Sequence, residues 1–325
     1  MRATAIALLL GAVGLGAAAL DPVEIKEWPV PWPNTRPRDP YPDAQGRIWF
    51  VGQTGDYLAV LDPRSGEFKR FELDGGTGPH NLIVDAKGMV WYAGNRTGHI
   101  GRLDPATGQI TKIPMPDPAA RDPHTLVFGQ DGEIWFTAQV TNFVGRLVPA
   151  TGEVKLVPVP TPSARPYGIV TDSRGRAWVA LFGTNKLALL DRELKLREIA
   201  LPEGTRPRRL GVTSDDRVWY VDYARGMLGR LDPKSGKVSE WPAPGAGGAR
   251  PYAMTVDDRD RIWFVETGPK PNRLVGFDPQ RGEFFSVTDI PSGAGTVRHM
   301  VFHRPSRTTW FGTDANTIGR AVLPK

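Results

Sequence analysis

Short apolar runs recur along the chain and alternate with turns rich in Pro, Gly and Asp. One unit shows the whole pattern in residues 79 to 116, "PHNLIVDAKGMVWYAGNRTGHIGRLDPATGQITKIPMP". Its apolar segments LIV, MVWYAG, HIGRL and QITKI are rich in branched and aromatic side chains. They are separated by turns in which Pro presets φ and Gly accepts positive φ. The pattern predicts four short β-strands in each unit.

The unit repeats around seven tryptophans with spacings of 42, 44, 43, 41, 44 and 47 residues: Trp49, Trp91, Trp135, Trp178, Trp219, Trp263 and Trp310. A period of this length with four strands per unit is the signature of a β-propeller. We therefore predict an all-β fold, a seven-bladed β-propeller with four-stranded blades. The recurrent Trp should pack between blades, and Asp104, Asp232 and Asp278, each followed by Pro, should be turn residues.

The two chain ends predict how the propeller closes. The last repeat ends in "TIGRAVLPK" after its third strand, and the N-terminal "EIKEWPV" (24 to 30) resembles the outer strand "KVSEWPA" (237 to 243). The N-terminal strand should therefore complete the last blade and remove an open sheet edge. This arrangement predicts a single domain over residues 20–325.

Residues 1–19, "MRATAIALLLGAVGLGAAA", have one charge, a short apolar run and small residues suited to cleavage. They resemble a secretory signal peptide, the alternative being an uncleaved membrane anchor. We expect an exported protein, periplasmic or extracellular, monomeric and without membrane association after cleavage. The absence of cysteine excludes disulfides and thiolate chemistry. The net charge of +6 comes without a basic helix or basic run, so we expect anionic ligands rather than nucleic acid.

Function in a propeller should lie where equivalent positions of the blades differ. Eleven residues before each Trp, at the start of the innermost strand, stand Arg38, His80, His124, Tyr167, Arg208, Tyr252 and His299. Antiparallel pairing should bring the ends of the second strands to the same face, adding Gln53, Asn95, Gln139, Asp222, Glu266 and Asp314. Two residues before the first set stand Arg36, Asp122, Arg165, Arg206 and Arg250. We expect these side chains to meet at one mouth of the central channel.

The chemistry open to this set is limited by what the chain lacks. It has no serine-hydrolase elbow, no Gly-rich phosphate loop and no His-Glu-x-x-His motif. Proton abstraction by a histidine and binding of a hard cation by carboxylates remain.

The recurring "PHxLxVxxxGxIWFTxxxTNxVGRL", together with outer strands such as "ITKIPMP", resembles the streptogramin B lyase family over essentially the whole chain after residue 19. The resemblance implies a seven-bladed propeller that opens a cyclic depsipeptide at an ester by elimination, assisted by Mg²⁺. It also implies a ring histidine, an acid-x-His in the next blade, a tyrosine in the blade after that, and a second acid. A neutral imidazole would remove a proton α to a carbonyl that the cation polarises.

The family's residues can be carried over in two ways. In chain order only His299 is retained, with Asp314 as the second acid. Rotation by three blades gives the full order as His80, Asp122-x-His124 and Tyr167, with Gln139 in place of the second acid. In this version His124 is the base, Asp122 orients the cation, His80 protonates or binds the substrate, and Tyr167 positions it.

Three functions remain open at this point. The first is the lyase, with His124 or His299 as base and Mg²⁺ as cofactor. The second is a non-enzymatic module that binds an anionic glycan or peptide through arginines at the strand starts, since guanidinium groups pair with carboxylate and phosphate. These arginines are Arg36, Arg38, Arg165, Arg206, Arg208, Arg209, Arg250 and Arg298. For a substrate in general, the candidate binding residues are Arg38, Arg165, Arg208, Tyr252 and Gln139. The third is a metal-dependent, lactonase-like hydrolase, for which Asp122, Asp222, Glu266 and Asp314 are the candidate acids.

Overall fold

The computed structural model describes residues 20–325, and the predicted signal peptide lies outside them. Seven four-stranded antiparallel sheets account for all strands of the described chain, and three short 3-10 helices lie in the connections at Pro118–Ala120, Ala246–Gly248 and Arg304–Ser306. The predicted seven-bladed propeller is confirmed. Between residues 20 and 325 no helix is long and apolar enough to cross a membrane.

Each of the first three blades uses four consecutive strands, ordered from the channel outward. Blade 1 contains β2 (Pro37–Pro42), β3 (Ile48–Gly52), β4 (Tyr57–Leu61) and β5 (Phe68–Glu72). Blade 2 contains β6 (Pro79–Val84), β7 (Val90–Gly94), β8 (His99–Leu103) and β9 (Ile110–Pro114). Blade 3 contains β10 (Pro123–Phe128), β11 (Ile134–Ala138), β12 (Phe143–Val148) and β13 (Glu153–Pro158).

The next three blades repeat this order. Blade 4 contains β14 (Pro166–Thr171), β15 (Ala177–Leu181), β16 (Lys186–Leu190) and β17 (Leu196–Ala200). Blade 5 contains β18 (Pro207–Val212), β19 (Val218–Asp222), β20 (Met227–Leu231) and β21 (Val238–Pro242). Blade 6 contains β22 (Pro251–Val256), β23 (Ile262–Glu266), β24 (Arg273–Asp278) and β25 (Glu283–Asp289).

Blade 7 is built from both ends of the chain. It contains β26 (Val297–His303), β27 (Thr308–Thr313), β28 (Thr317–Val322) and, outermost, β1 (Ile25–Pro29). β1 pairs with β28 in the register Ile25 to Ala321, and Trp28 stacks on Trp310 with ring centroids 5.5 Å apart. The closure predicted from the sequence is confirmed.

The recurrent tryptophans form the contacts between blades. All seven are nearly inaccessible, and Trp49 of blade 1, for example, packs against Leu82 and Tyr92 of blade 2. Their indole N–H groups also have partners, because in four blades an Asp six residues earlier accepts the hydrogen bond, at 3.0 Å for Asp43 and Trp49. Buried indoles of this kind hold the blades in a fixed order around the channel.

One irregularity in blade 7 changes the position of the candidate residues. Val301 pairs with Trp310, nine positions apart, whereas Ile83 pairs with Trp91, eight positions apart, as in the other blades. The β26–β27 connection, which contains the 3-10 helix Arg304–Ser306, therefore has one residue more than its equivalents. Counting back eleven residues from Trp310, as in the other blades, therefore gives the residue one position after the equivalent one.

Candidate functional site

The innermost strands bring an aromatic and imidazole cluster together at one mouth of the channel. The ring centroids of His80 and His124 lie 3.6 Å apart, and those of His124 and Tyr167 lie 4.5 Å apart. Tyr167 and Tyr252 have centroids 6.0 Å apart, and their hydroxyl groups are hydrogen-bonded to each other. All four side chains are buried. The structure therefore gathers residues from blades 2, 3, 4 and 6 around one point, as predicted for this ring.

A backbone irregularity at the start of each innermost strand shapes this mouth. In β6 the pairing with β7 shifts between Pro79 and Leu82, and the other inner strands show equivalent shifts. A bulge of this kind breaks the strict alternation of faces and redirects side chains. Two adjacent residues of one strand, such as His80 and Asn81, are therefore both buried near the channel axis.

The position of His299 at the mouth was predicted wrongly. Because Val297 pairs with Thr313 as Pro79 pairs with Gly94, the residue of blade 7 that is equivalent to His80 is Arg298. His299 is equivalent to Asn81 and lies one layer deeper, where it also lines the cavity at the opposite end of the channel. The extra residue in the β26–β27 connection is the physical reason.

Two arginines of the ring enter the cluster without a strong carboxylate partner. The guanidinium of Arg208 lies over Tyr223 at 3.9 Å, over Phe182 at 4.1 Å and over Tyr252 at 4.2 Å from the ring centroids. Arg38 is 5% exposed and donates from Nη1 to Gln53 Oε1 at 2.9 Å. The Nε atoms of both arginines and Nη2 of Arg38 are buried without a hydrogen-bond partner among the described residues.

The second layer closes the channel beneath the mouth with a network centred on Arg209. This guanidinium donates to the backbone oxygen of Arg298 at 2.9 Å, to Thr125 Oγ1 at 3.2 Å and to Asp39 at 3.4 Å. Asn81 donates to the same Asp39 carboxylate at 3.0 Å. A buried carboxylate and guanidinium thus connect five blades across the axis.

His124 is connected to this network through its neighbour. Its Nδ1 lies 2.8 Å from Thr125 Oγ1, the hydroxyl that accepts from Arg209. A hydroxyl has two acceptor lone pairs, so Thr125 can accept from both Arg209 and a protonated Nδ1. The lone pair of His124 would then be on Nε2.

Both mouth imidazoles are held neutral. Burial lowers the pKa of His80 well below its usual value, and the nearby charge of Arg38 lowers it further. Burial has the same effect on the pKa of His124, with Arg209 and Arg38 adding to it. An unprotonated imidazole is the form that accepts a proton.

The positive charge at the mouth also acts on the two phenols. Burial on its own would raise the pKa of Tyr167, but Arg209, Arg38 and Arg208 outweigh it and hold the pKa below its usual value. The pKa of its partner Tyr252 is raised, by burial and by the proximity of Tyr167. When the pair loses a proton, the guanidinium groups favour its loss from Tyr167 rather than from Tyr252.

The candidate metal ligands Asp122, Glu266 and Asp314 do not meet. Asp122 accepts hydrogen bonds from Val140 N at 2.6 Å and from Thr141 N at 3.1 Å, so it stabilises the turn that follows β11. Glu266 is fully buried and accepts hydrogen bonds from Gly245 N at 2.7 Å and from Arg273 Nε at 2.9 Å.

Asp314 is at the mouth but is paired with Arg298 at 2.7 Å and with Arg36 at 3.4 Å. Between residues 20 and 325 no group of three or more His, Asp or Glu side chains is arranged to hold a metal ion. The residues at the mouth therefore do not fit the magnesium ion that the family resemblance implied.

The error over Glu266 has a geometric cause. Glu266 and Asp222 lie three residues after their Trp, whereas Gln53 and Asp314 lie four residues after theirs. Side chains alternate between the faces of a strand, so one step reverses the direction. Glu266 and Asp222 point into the blade, where Arg273 and Arg225 pair with them.

The remaining predicted residues lie outside the buried cluster. Arg165 is exposed at the rim, and Gln139 is half-buried, at the end of β11. Sequence reasoning named neither Asp39, Asn81 nor Thr125. Each of them directly follows the first polar residue of an innermost strand, where strict alternation predicts an apolar side chain. A polar residue at that place is the signal that could have found them.

The fold and the site define a class of protein: a seven-bladed propeller with a neutral-imidazole, tyrosine and arginine cluster at one channel mouth. The chain belongs to the Virginiamycin B lyase family, whose sequence model matches residues 25–321. No curated protein matches the chain.

Solved structures of streptogramin B lyases have the same fold. The chain is 25% identical to a streptogramin B lyase, with a TM-score of 0.83 over 93% of this chain and 98% of that chain. Selenomethionine-substituted virginiamycin B lyase from Staphylococcus aureus is 22% identical, with a TM-score of 0.84 over 93% of this chain and 99% of that one. A catalytically inactive histidine-to-alanine variant of the S. aureus lyase, solved with quinupristin, is 22% identical with a TM-score of 0.83 over the same shares.

Proposed function

We propose that this protein is an exported carbon–oxygen lyase that opens an ester-linked substrate by elimination at the channel mouth, with His124 as the base. The observation that carries the proposal is the cluster of His80, His124 and Tyr167 in three consecutive blades. Membership of the Virginiamycin B lyase family supports the reaction class, and residues 1–19 support export.

The proposed step is a redox-neutral elimination. Nε2 of His124 takes the proton from the carbon α to a substrate carbonyl, and the electrons of that C–H bond form a carbon–carbon double bond. The β carbon–oxygen bond breaks, and the ester oxygen leaves as part of a carboxylate. No water is added, so the product of a cyclic substrate is a linear isomer.

The surrounding side chains suit this step. In the proposed tautomer Nδ1 of His124 donates to Thr125 Oγ1, 2.8 Å away, and Nε2 is the acceptor. His80 stays neutral and binds the substrate beside the base, and Tyr167 positions it. Since the carboxylates do not fit a magnesium ion, no part of this mechanism depends on one.

A second candidate is an anion-binding module without turnover. The exposed arginines around the mouth favour it: Arg165 and Arg250 have left-handed backbones, with φ of 53° and 46°, and Arg206 is exposed beside them. Such strain in a non-Gly residue is often found at functional positions. A ring of positive charge would concentrate anionic glycans or peptides at the mouth, and this binding should weaken with salt.

The two candidates are separated by one assay. The purified chain is incubated with quinupristin, and the products are separated by chromatography and identified by mass and fragmentation. A linear product of unchanged mass supports the lyase, whereas a product heavier by one water indicates hydrolysis and overturns the elimination. If no product forms and anionic glycans bind in a salt-dependent manner, the binding module replaces the lyase.

A further inference from the structure

The channel mouth holds an excess of positive charge, on the buried Arg38 and Arg209 and the half-buried Arg208 and Arg298. The guanidinium groups of Arg38, Arg208, Arg209 and Arg298 lie in or beneath the cluster. Only the carboxylates of Asp39 and Asp314 offset them, and Asp314 is shared with Arg36. Four cations thus face two anions. A buried charge without a partner is strongly unfavourable, and water satisfies its hydrogen bonds without neutralising it.

Among residues 20–325, Arg208 has no carboxylate partner, and Arg38 shares its only one with Arg209. Arg298 pairs with Asp314 at 2.7 Å, and Arg209 donates to Asp39 at 3.4 Å. Arg208 forms no ion pair with any residue between 20 and 325 and is held over aromatic rings. Arg38 has only Asp39 at 3.6 Å, which Arg209 also engages.

The donor atoms left free are those that recognise an oxyanion. Arg38 retains Nη2, together with an Nε that is 3.6 Å from Asp39 Oδ1 and not hydrogen-bonded to it, and Arg208 retains Nε. The edge of a guanidinium that carries Nε and one Nη forms paired hydrogen bonds with the two oxygens of a carboxylate. The guanidinium of Arg208 lies 5.7 Å from the ring centroid of Tyr167, which lies beside His124. Arg38 occupies in the innermost strand of blade 1 the position that Arg208 occupies in blade 5, and both charges lower the pKa of Tyr167.

We propose that Arg38 and Arg208 form a carboxylate-binding site that receives the leaving group of the elimination. The described residues contain no group of three or more metal-ligating side chains, and the two guanidinium groups supply the positive charge instead. The inference rests on the proposed function for the identity of the leaving group. Binding of a carboxylate by the site is independent of turnover. As the β carbon–oxygen bond breaks, negative charge accumulates on the ester oxygens, and donors already held at that place stabilise it.

Carboxylate binding is tested on the full chain without a substrate. Thermal unfolding is followed during titration with acetate and with glucuronate, and separately with inorganic phosphate and sulfate, against sodium chloride at equal ionic strength. A ligand that binds only the native state raises Tm in a saturable manner. The proposal predicts a larger saturable rise with the carboxylates than with chloride. A larger response to phosphate or sulfate would overturn the assignment to carboxylate, and equal responses to all anions would overturn the site.

Variants locate the effect. Arg208→Gln and Arg38→Gln should each weaken carboxylate binding by about tenfold or more, since each removes one guanidinium edge. Arg208→Lys keeps the charge but not the paired donors and should give an intermediate affinity, which also serves if the Gln variant does not fold. Arg197→Gln, exposed on the outermost strand β17 of blade 4, is the matched control and should leave affinity within about twofold. Equal losses in all variants would contradict the assignment to Arg38 and Arg208.

Magnesium alone is the last arm. The proposal predicts that Mg²⁺ changes Tm no more than an equal ionic strength of sodium chloride does. A saturable rise that EDTA reverses would show that a metal supplies the charge. A carboxylate response without any ring opening of quinupristin would retain the carboxylate site and overturn the lyase and the leaving-group role, so the two failures can be told apart.

Discussion

The imidazole of His80 lies against that of His124 across the boundary between blades 2 and 3, with ring centroids 3.6 Å apart. Burial and the surrounding guanidinium groups lower the pKa of both rings. Two imidazolium ions could not remain this close in a buried site, so the pair is stable only while at least one ring is neutral. The contact therefore connects the protonation of the site to the stability of the fold.

The free energy of unfolding should fall when the pH is lowered from about 7 to about 5. Unfolded histidines take up protons near their usual pKa of 6.5, but native His80 and His124 do not, and the pKa of His299 is lowered to about 4 by burial, despite Asp39. In this window the unfolded state binds more protons, so acid favours unfolding. Replacing His299 by Asn should reduce the loss by about 2 kcal/mol, measured by urea unfolding at both pH values. Unfolding free energies that are the same at both values would contradict this reading.

The buried pair of Asp39 and Arg209 should couple strongly. Asp39→Asn leaves Arg209 without its charge partner, and Arg209→Met leaves the carboxylate unpaired, so each change should destabilise the fold by about 3–5 kcal/mol. The double variant should lose clearly less than the sum of the two, because it removes both charges of this pair together. Arg38 loses its carboxylate neighbour in both the Asp39→Asn and the double variant, so that loss does not affect the comparison of these two proteins. Denaturant unfolding of the four proteins measures the coupling. Additive losses would show that the ion pair does not stabilise the channel floor.

Thr125 should act as a positioning residue for His124. Thr125→Val removes the acceptor for Nδ1, so the tautomer with a free Nε2 is no longer favoured, and kcat should fall by about tenfold with little change in KM. Thr125→Ser restores the hydroxyl and should restore kcat. The measurement is the steady-state rate of quinupristin opening across pH. If Val and Ser variants lose activity equally, the hydroxyl has no such role.

The closing strand should contribute more to stability than its equivalent in an internal blade. Trp28 in β1 stacks on Trp310, and Trp241 in β21 stacks on Trp219, with centroid distances of 5.5 and 5.4 Å. Trp28→Ala should cost about 3–5 kcal/mol and expose the first strand to proteases, because only blade 7 is held together by both chain ends. Trp241→Ala is the matched control, and in this variant β1 should stay protected from proteases. Equal protease sensitivity of β1 in the two variants would contradict a special role of the Trp28–Trp310 contact in holding the closing strand.

The fold was predictable because each blade of the propeller repeats the same sequence pattern. Large buried tryptophans recur once per blade, and the turn residues between strands are set by local backbone geometry. The closing strand could be found as well, since the "EWP" of β1 recurs in β21.

The site was predictable only in part, because single-residue offsets decide which way a side chain points. One additional residue after β26 moved His299 below the mouth and put Arg298 in its place. A single step along β23 turned Glu266 into the blade. The bulges that bring Asn81, Thr125 and Arg209 to the channel depend on pairing between strands, which the apolar pattern of one strand does not record.

The most direct test of the central claim compares the native chain with His124→Asn in the quinupristin assay, with His303→Asn as a control histidine remote from the mouth. We expect a linear product of unchanged mass from the native chain and from His303→Asn, with and without EDTA. For His124→Asn we expect a rate lower by about a hundredfold or more, because the general base is lost. A product that contains an added water, a rate that depends on a divalent cation, or full activity of His124→Asn would contradict it.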